Sequence, residues 1–99
     1  MDMIEAVRTR LPDENVSLIL AQALVDDAQA LVLGYLGRDE LPTPCENAVV
    51  RMAVVLFNRM GMEGEQSRSE GGVSTSVDLI PADIAAQLRP WRLAVTRGR

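Results

Sequence analysis

The feature that most constrains this chain is one apolar run, Val16 to Leu36, reading VSLILAQALVDDAQALVLGYL. It is long enough to cross a bilayer as a helix. Asp26 and Asp27 stand at its middle, however, where each would cost roughly 2.5–3.5 kcal/mol on an insertion scale. The run is therefore read as a helix of a soluble protein, from about Asp13 or Glu14 to about Leu36. Asn15, Gln22, Asp26 and Gln29 form its narrow polar stripe. At ~1.5 Å per residue this helix spans about 35 Å, against a radius of gyration of ~13 Å for a domain of this size. The other segments are too short to cover so broad an apolar surface. Part of it is expected to meet another chain or to lie under a loop.

Three further helices fit around it. Asp2 and Glu5 form a capping box for a first helix over Met3 to about Arg10, with Ile4, Val7 and Leu11 on one face and Pro12 as its end. TPCE starts a third, with Thr43 as cap and Pro44 in the first turn; it is expected to run to Met60 and stop at Gly61. Its inner face reads Cys45, Val49, Met52, Leu56 and Met60, with Asn47, Arg51 and Asn58 opposite. IPADIAAQL is a short fourth helix, with Ile84 and Leu88 inward and Pro90 interrupting or ending it. The 47% hydrophobic content includes one each of Trp91, Tyr35 and Phe57, so the core is aliphatic, which favours helices. The expected fold is all-α: a small bundle with a long antiparallel helix hairpin, a short N-terminal helix and a short C-terminal helix. At 99 residues it is one domain, 1–99, with a flexible loop at 62–78 and a basic tail at 89–99.

Most catalytic chemistry is excluded by residue type. The chain has no histidine and no lysine, which removes Ser-His-Asp, Cys-His and Ser-Lys devices and Schiff-base chemistry. Cys45 is the one cysteine, so neither an internal disulfide nor a cysteine zinc cluster forms; it is read as a small buried residue in a first helical turn, a position that can also lower a thiol pKa. Asp26 and Asp27 are adjacent on a helix and point about 100° apart, a poor catalytic pair. The loop lacks the Gly-Lys-Ser/Thr ending of a phosphate loop and follows a helix rather than a strand. No enzyme activity and no cofactor is expected. The N-terminus, with Asp2 and Glu5, shows no secretory pattern.

Charge is unevenly placed. Residues 1–88 carry six arginines against 14 acids, a net of −8, while 89–99 carry Arg89, Arg92, Arg97 and Arg99 and no acid. The body would repel nucleic acid; the tail suits phosphate or an acidic partner. Asp27 shares a helix face with Leu20, Ala23, Leu24 and Leu31, where a bare carboxylate is costly. It is expected either to pair with an arginine across the hairpin, Arg59 being the candidate, or to lie at an exposed edge.

Between the third and fourth helices runs MEGEQSRSEGGVSTSVD, Met62 to Asp78, with glycines at 64, 71 and 72 and four serines. FNRMGMEGEQSRSEGGVSTS, Phe57 to Ser76, resembles the pattern of tailed-phage head–tail connector proteins: an aromatic and Asn-Arg, then Gly-x-Glu-Gly, then serines and Gly-Gly-Val-Ser. GYLGRDELP, Gly34 to Pro42, is similar to the turn joining that family's two long helices, and LIPADIAAQLRPWR resembles its ending. The chain departs from the pattern at Val77, where an aromatic often follows, and at Pro90, in a region commonly helical throughout.

The resemblance implies an all-helical adaptor without enzyme activity, made in the bacterial host cytoplasm and placed at the virion head–tail junction. Its implied form is a ring of about twelve subunits between the portal protein and a tail-completion or stopper protein, with DNA passing through the channel without sequence-specific binding and with no membrane contact. The residues add candidate roles. Gly64, Ser67, Ser69, Gly71, Gly72, Val73 and Ser74 are an assembly loop, ordered by neighbouring subunits or the portal, with a strand-like Val/Ser alternation. Arg89, Trp91, Arg92 and Arg97 are a portal anchor, Trp and Arg being favoured at hot spots; the alternative for Trp91 is to cover the domain's own core. Met60 and Met62 are further contact candidates. The competing functions are a small DNA-packaging or regulatory protein binding DNA through its Arg tail, and a generic helical oligomerisation module.

Overall fold

The computed structural model describes residues 2–66 and 80–93. These form four helices: α1 (Met3–Arg10), α2 (Leu18–Leu36), α3 (Glu46–Gln66) and α4 (Ala82–Leu88). No strand occurs among the described residues, so the fold is all-α, as the sequence predicts. α2 and α3 pack along each other as the long hairpin; α1 packs on both, and α4 packs on α3.

α1 begins as expected, with the Asp2 side chain accepting from the Glu5 N–H at 3.2 Å. The start of α2 does not. Pro12–Glu14 form a separate 3-10 turn, and Asn15 sits in the left-handed region at φ 52°, where no helix can pass. Val16 is buried, and its carbonyl accepts from Arg8 Nε at 3.0 Å, tying the connection to α1. Ser17 then caps α2, its Oγ accepting from the Leu20 N–H at 3.0 Å. Asp13 and Glu14 therefore lie outside the helix, which has 19 residues and a length of about 28 Å.

Two corrections apply to α3. Thr43 makes no side-chain cap; Thr43–Cys45 is a 3-10 turn, and the α-helix opens at Glu46. At its far end the helix continues through Gly61 and Gly64 to Gln66. Glycine costs only about 1 kcal/mol within a helix, and Met62, Glu63, Glu65 and Gln66 are all strong helix formers. The expected loop at 62–78 thus begins with helix.

The core is aliphatic, with Val7 from α1, Leu24, Val25, Ala28, Val32 and Leu36 from α2, Cys45 from the turn before α3, Val49, Val50, Met52 and Ala53 along α3, and Ile84 and Leu88 from α4. Fully burying one such Val, Leu or Ile is worth about 1.5–3 kcal/mol. No polar or charged residue is buried among the described residues. α2 is long and apolar enough to span a membrane, yet only part of it is covered. Leu18 is 58% and Ile19 84% exposed, and Ala23 and Ala30 are exposed further along. That is the uncovered apolar surface the sequence predicts.

Candidate functional site

Two surfaces hold the charged candidates: the C-terminal end of α2, where the tail begins, and the groove between α2 and α3.

A helix leaves its last carbonyls without intrahelical donors. At the end of α2, Gly37 adopts φ 70°, and the N–H groups of Gly37 and Arg38 both donate to the Leu33 carbonyl, at 2.8 and 3.2 Å. Two of the remaining carbonyls, those of Tyr35 and Leu36, are met by the tail. Arg92 Nε donates to the Tyr35 carbonyl at 2.9 Å, and the Leu93 N–H donates to the Leu36 carbonyl at 2.9 Å. Arg38 Nε closes the ring of contacts by donating to the Trp91 carbonyl at 2.7 Å. The Arg92 guanidinium also lies over the Tyr35 ring, 4.6 Å from its centroid. A cation there is favoured by the ring face and by the negative end of the helix dipole.

Arg92, expected as part of an outward anchor, is thus engaged with its own α2. Pro90 lies within the 3-10 turn Arg89–Trp91, which carries the chain from α4 onto that end. Trp91 is used through its carbonyl, and its residue remains 37% exposed. Arg89 is also exposed. Arg97 lies outside the described residues, as do Ser67, Ser69, Gly71, Gly72, Val73 and Ser74; Gly64 belongs to α3.

The second surface is an open groove of about 560 Å³ lined by Leu24, Asp27, Ala30, Leu31, Leu56, Arg59 and Met60. The α2–α3 pairing brings Asp27 and Arg59 to this one groove, but no ion pair joins them among the described residues. Asp27 is exposed, so its carboxylate stays hydrated and nothing forces it onto a cation. Arg59 is half-buried, and its Nη1 is buried with no hydrogen-bond partner among the described residues.

Arg51, expected on the outer side of α3, instead faces α4. It donates to Gln87 Oε1 and pairs with Asp83, while Gln87 Nε2 donates to Asn47 Oδ1 at 3.3 Å. This polar bridge locks the short α4 in place. Cys45 is 1% exposed. Burial pushes its thiol above the ordinary range, with Arg38 drawing it partly back, so the expected alternative of a lowered pKa does not hold. Among the described residues, no group of three or more Cys, Asp or Glu converges as metal ligands.

Sequence reasoning missed Leu18, Ile19, Tyr35 and Arg38. Ser17 before an apolar pair was the available signal for the first two: once it caps the helix, Ile19 falls outside the buried spacing of Ala21, Leu24, Val25, Ala28 and Val32, and Leu18, though on their face, sits in the exposed first turn. Tyr35 and Arg38 had none, because their partners lie more than fifty positions away in the chain.

The described residues form a helical hairpin with a flanking short helix at each end and an uncovered apolar flank on α2. The family model of the phage gp6-like head-tail connector proteins matches residues 3–92, nearly the whole chain, and the protein belongs to that family. Its role is a structural one at the junction of phage head and tail. No curated protein and no solved structure matches.

Proposed function

We propose that this connector assembles as a ring of about twelve subunits on the portal vertex, joins it to a tail-completion or stopper protein, and lets DNA pass through its channel. The family match over residues 3–92 carries this reading. The uncovered flank of α2, with Ile19 84% exposed, supplies surface for subunit contacts. The net charge of −8 on residues 1–88 supports free passage of DNA, since bound phosphate would hold it. The chain is made in the cytoplasm of the bacterial host and acts without membrane contact.

Ser67, Ser69, Gly71, Gly72, Val73 and Ser74, with Gly64 at the end of α3, serve as the assembly loop. Arg89, Trp91 and Arg97 serve as the portal anchor, with Arg92 holding the start of the tail against α2. Engagement of Arg92 by Tyr35 weakens the competing reading of DNA binding through the tail. A duplex-binding assay at moderate salt separates the two.

Particles assembled without this chain test the role itself. The expected result is filled heads that leak DNA and carry no tails. Normal tail attachment would overturn the proposal.

A further inference from the structure

The groove between α2 and α3 is open among the described residues. Its walls are Leu24, Leu31, Leu56 and Met60, and Met60 is 47% exposed. Arg59 Nη1 is buried at its edge with no acceptor among the described residues, a desolvated donor that gains from any acceptor supplied to it. Asp27 offsets the Arg59 charge, so the groove exerts little net pull on a polyanion such as DNA. It selects apolar side chains that arrive with one hydrogen-bond acceptor.

The same chain carries such a group elsewhere. Leu18 and Ile19 are the two most exposed large hydrophobic residues among those described, at 58% and 84%. The turn that precedes them, Pro12–Glu14, holds the exposed carboxylates of Asp13 and Glu14. They cannot fill the groove of their own copy. At about 100° of rotation per residue, Leu18 and Ile19 point roughly 120–140° away from Leu24 and Leu31. Knob and groove are distinct patches, the knob in the first turn of α2 and the groove beginning at Leu24, and two distinct patches that meet make a heterologous contact, repeated head to tail from copy to copy.

We propose that Leu18 and Ile19 of one copy insert into the α2–α3 groove of the next, with Asp13 or Glu14 accepting from Arg59. This rests on the ring reading above and names the contact that builds it. A groove of about 560 Å³ is many times the ~30 Å³ share of one water, so it takes both aliphatic side chains.

Complementary variants of the full-length chain test the contact by sedimentation velocity over a wide concentration range. Ile19→Asp spoils the knob at an exposed site in the first turn of α2, where an acid is tolerated. Met60→Glu spoils the groove at a half-exposed site, and Arg59→Glu does so independently. Thermal melting confirms that each folds. The wild-type chain is expected to associate, and each variant alone to associate at least tenfold more weakly. An equimolar mixture of Ile19→Asp with Met60→Glu is expected to form a capped 1:1 dimer, because one intact knob then meets one intact groove.

Five results overturn the proposal. Association of both variants at wild-type strength places the contact elsewhere while the ring survives. Failure of the mixture to pair excludes a heterologous contact. Lower melting of Met60→Glu with unchanged association shows the groove filled by its own chain, and loss of association in Trp91→Ala but not Ile19→Asp shows it filled by a neighbour's tail. A wild-type chain that stays monomeric throughout removes this self-contact, and only portal binding then judges the ring reading.

Discussion

Arg92 and Tyr35, 57 positions apart in the chain, meet twice: the guanidinium lies 4.6 Å from the ring centroid, and its Nε donates to the Tyr35 carbonyl at 2.9 Å. The contact turns the start of a basic tail into the cap of a long helix. Arg92→Ala removes an exposed cation–π contact worth about 0.5–1 kcal/mol and a modest hydrogen bond. The expected loss is about 1 kcal/mol, or a fall of roughly 4–8 °C in melting temperature for a domain this size. Arg92→Lys should recover part of it.

The same clasp reaches as far as Leu93. A chain ending at Leu93 keeps the Leu93 and Trp91 backbone bonds to α2 and Arg38, and should melt with the full-length protein. A chain ending at Leu88 loses them along with Arg92 and should be less stable by roughly 2 kcal/mol. Thermal or urea unfolding of the two truncations checks this. Portal binding is best probed with Trp91→Ala, which leaves every backbone contact of the clasp in place.

Gly37 ends α2 at φ 70°, with open space where a Cβ would lie. Any cost of a side chain there is therefore backbone strain rather than collision. Gly37→Ala should destabilise by about 1–2 kcal/mol, and Gly37→Asn by less, since Asn tolerates the left-handed region. Urea midpoints with unchanged m-values would show it.

Cys45 gives a pH dependence with a definite sign. Burial raises its pKa in the folded state above the ordinary 9.0. The unfolded thiol therefore ionises first, and this contribution to stability is complete below pH 9 and declines as pH rises toward the folded pKa. Cys45→Ala should remove that part of the alkaline decline, measured as urea stability between pH 7 and 10. Thiol labelling of the native protein at pH 8 should be slow and accelerate sharply in denaturant.

Arg51 bonds Gln87 and Asp83, and Gln87 also bonds Asn47. Arg51→Ala should loosen α4 by about 1–2 kcal/mol, because a part-buried Gln87 loses a partner. Asp83→Asn should cost at most about 1 kcal/mol, its side chain being 68% exposed. Hydrogen exchange across Ala82–Leu88 distinguishes local loosening from global destabilisation.

Local signals carried much of the fold. Asp2 with Glu5, and the Ile84 and Leu88 spacing after Pro81, placed α1 and α4 correctly, because caps and periodicity act within a few residues. Boundaries slipped where a local preference was weak or outvoted: Asn15 adopted a left-handed turn, and Gly61 was carried through by strong helix formers around it. Arg51 looked like a solvent-facing charge until α4 was laid across it. The clasp of Arg92 and Arg38 was illegible, since it depends on where α4 delivers the tail. Asp27 and Arg59, expected as an ion pair or with Asp27 at an exposed edge, line one groove with Asp27 exposed and no ion pair joining them among the described residues.

Electron microscopy of the purified portal complex, incubated with this chain, tests the central claim most directly. The account predicts an added layer of density on the portal axis, with a ring of about twelve copies around an open channel. A bare portal, with the chain free in solution at concentrations well above micromolar, would contradict it.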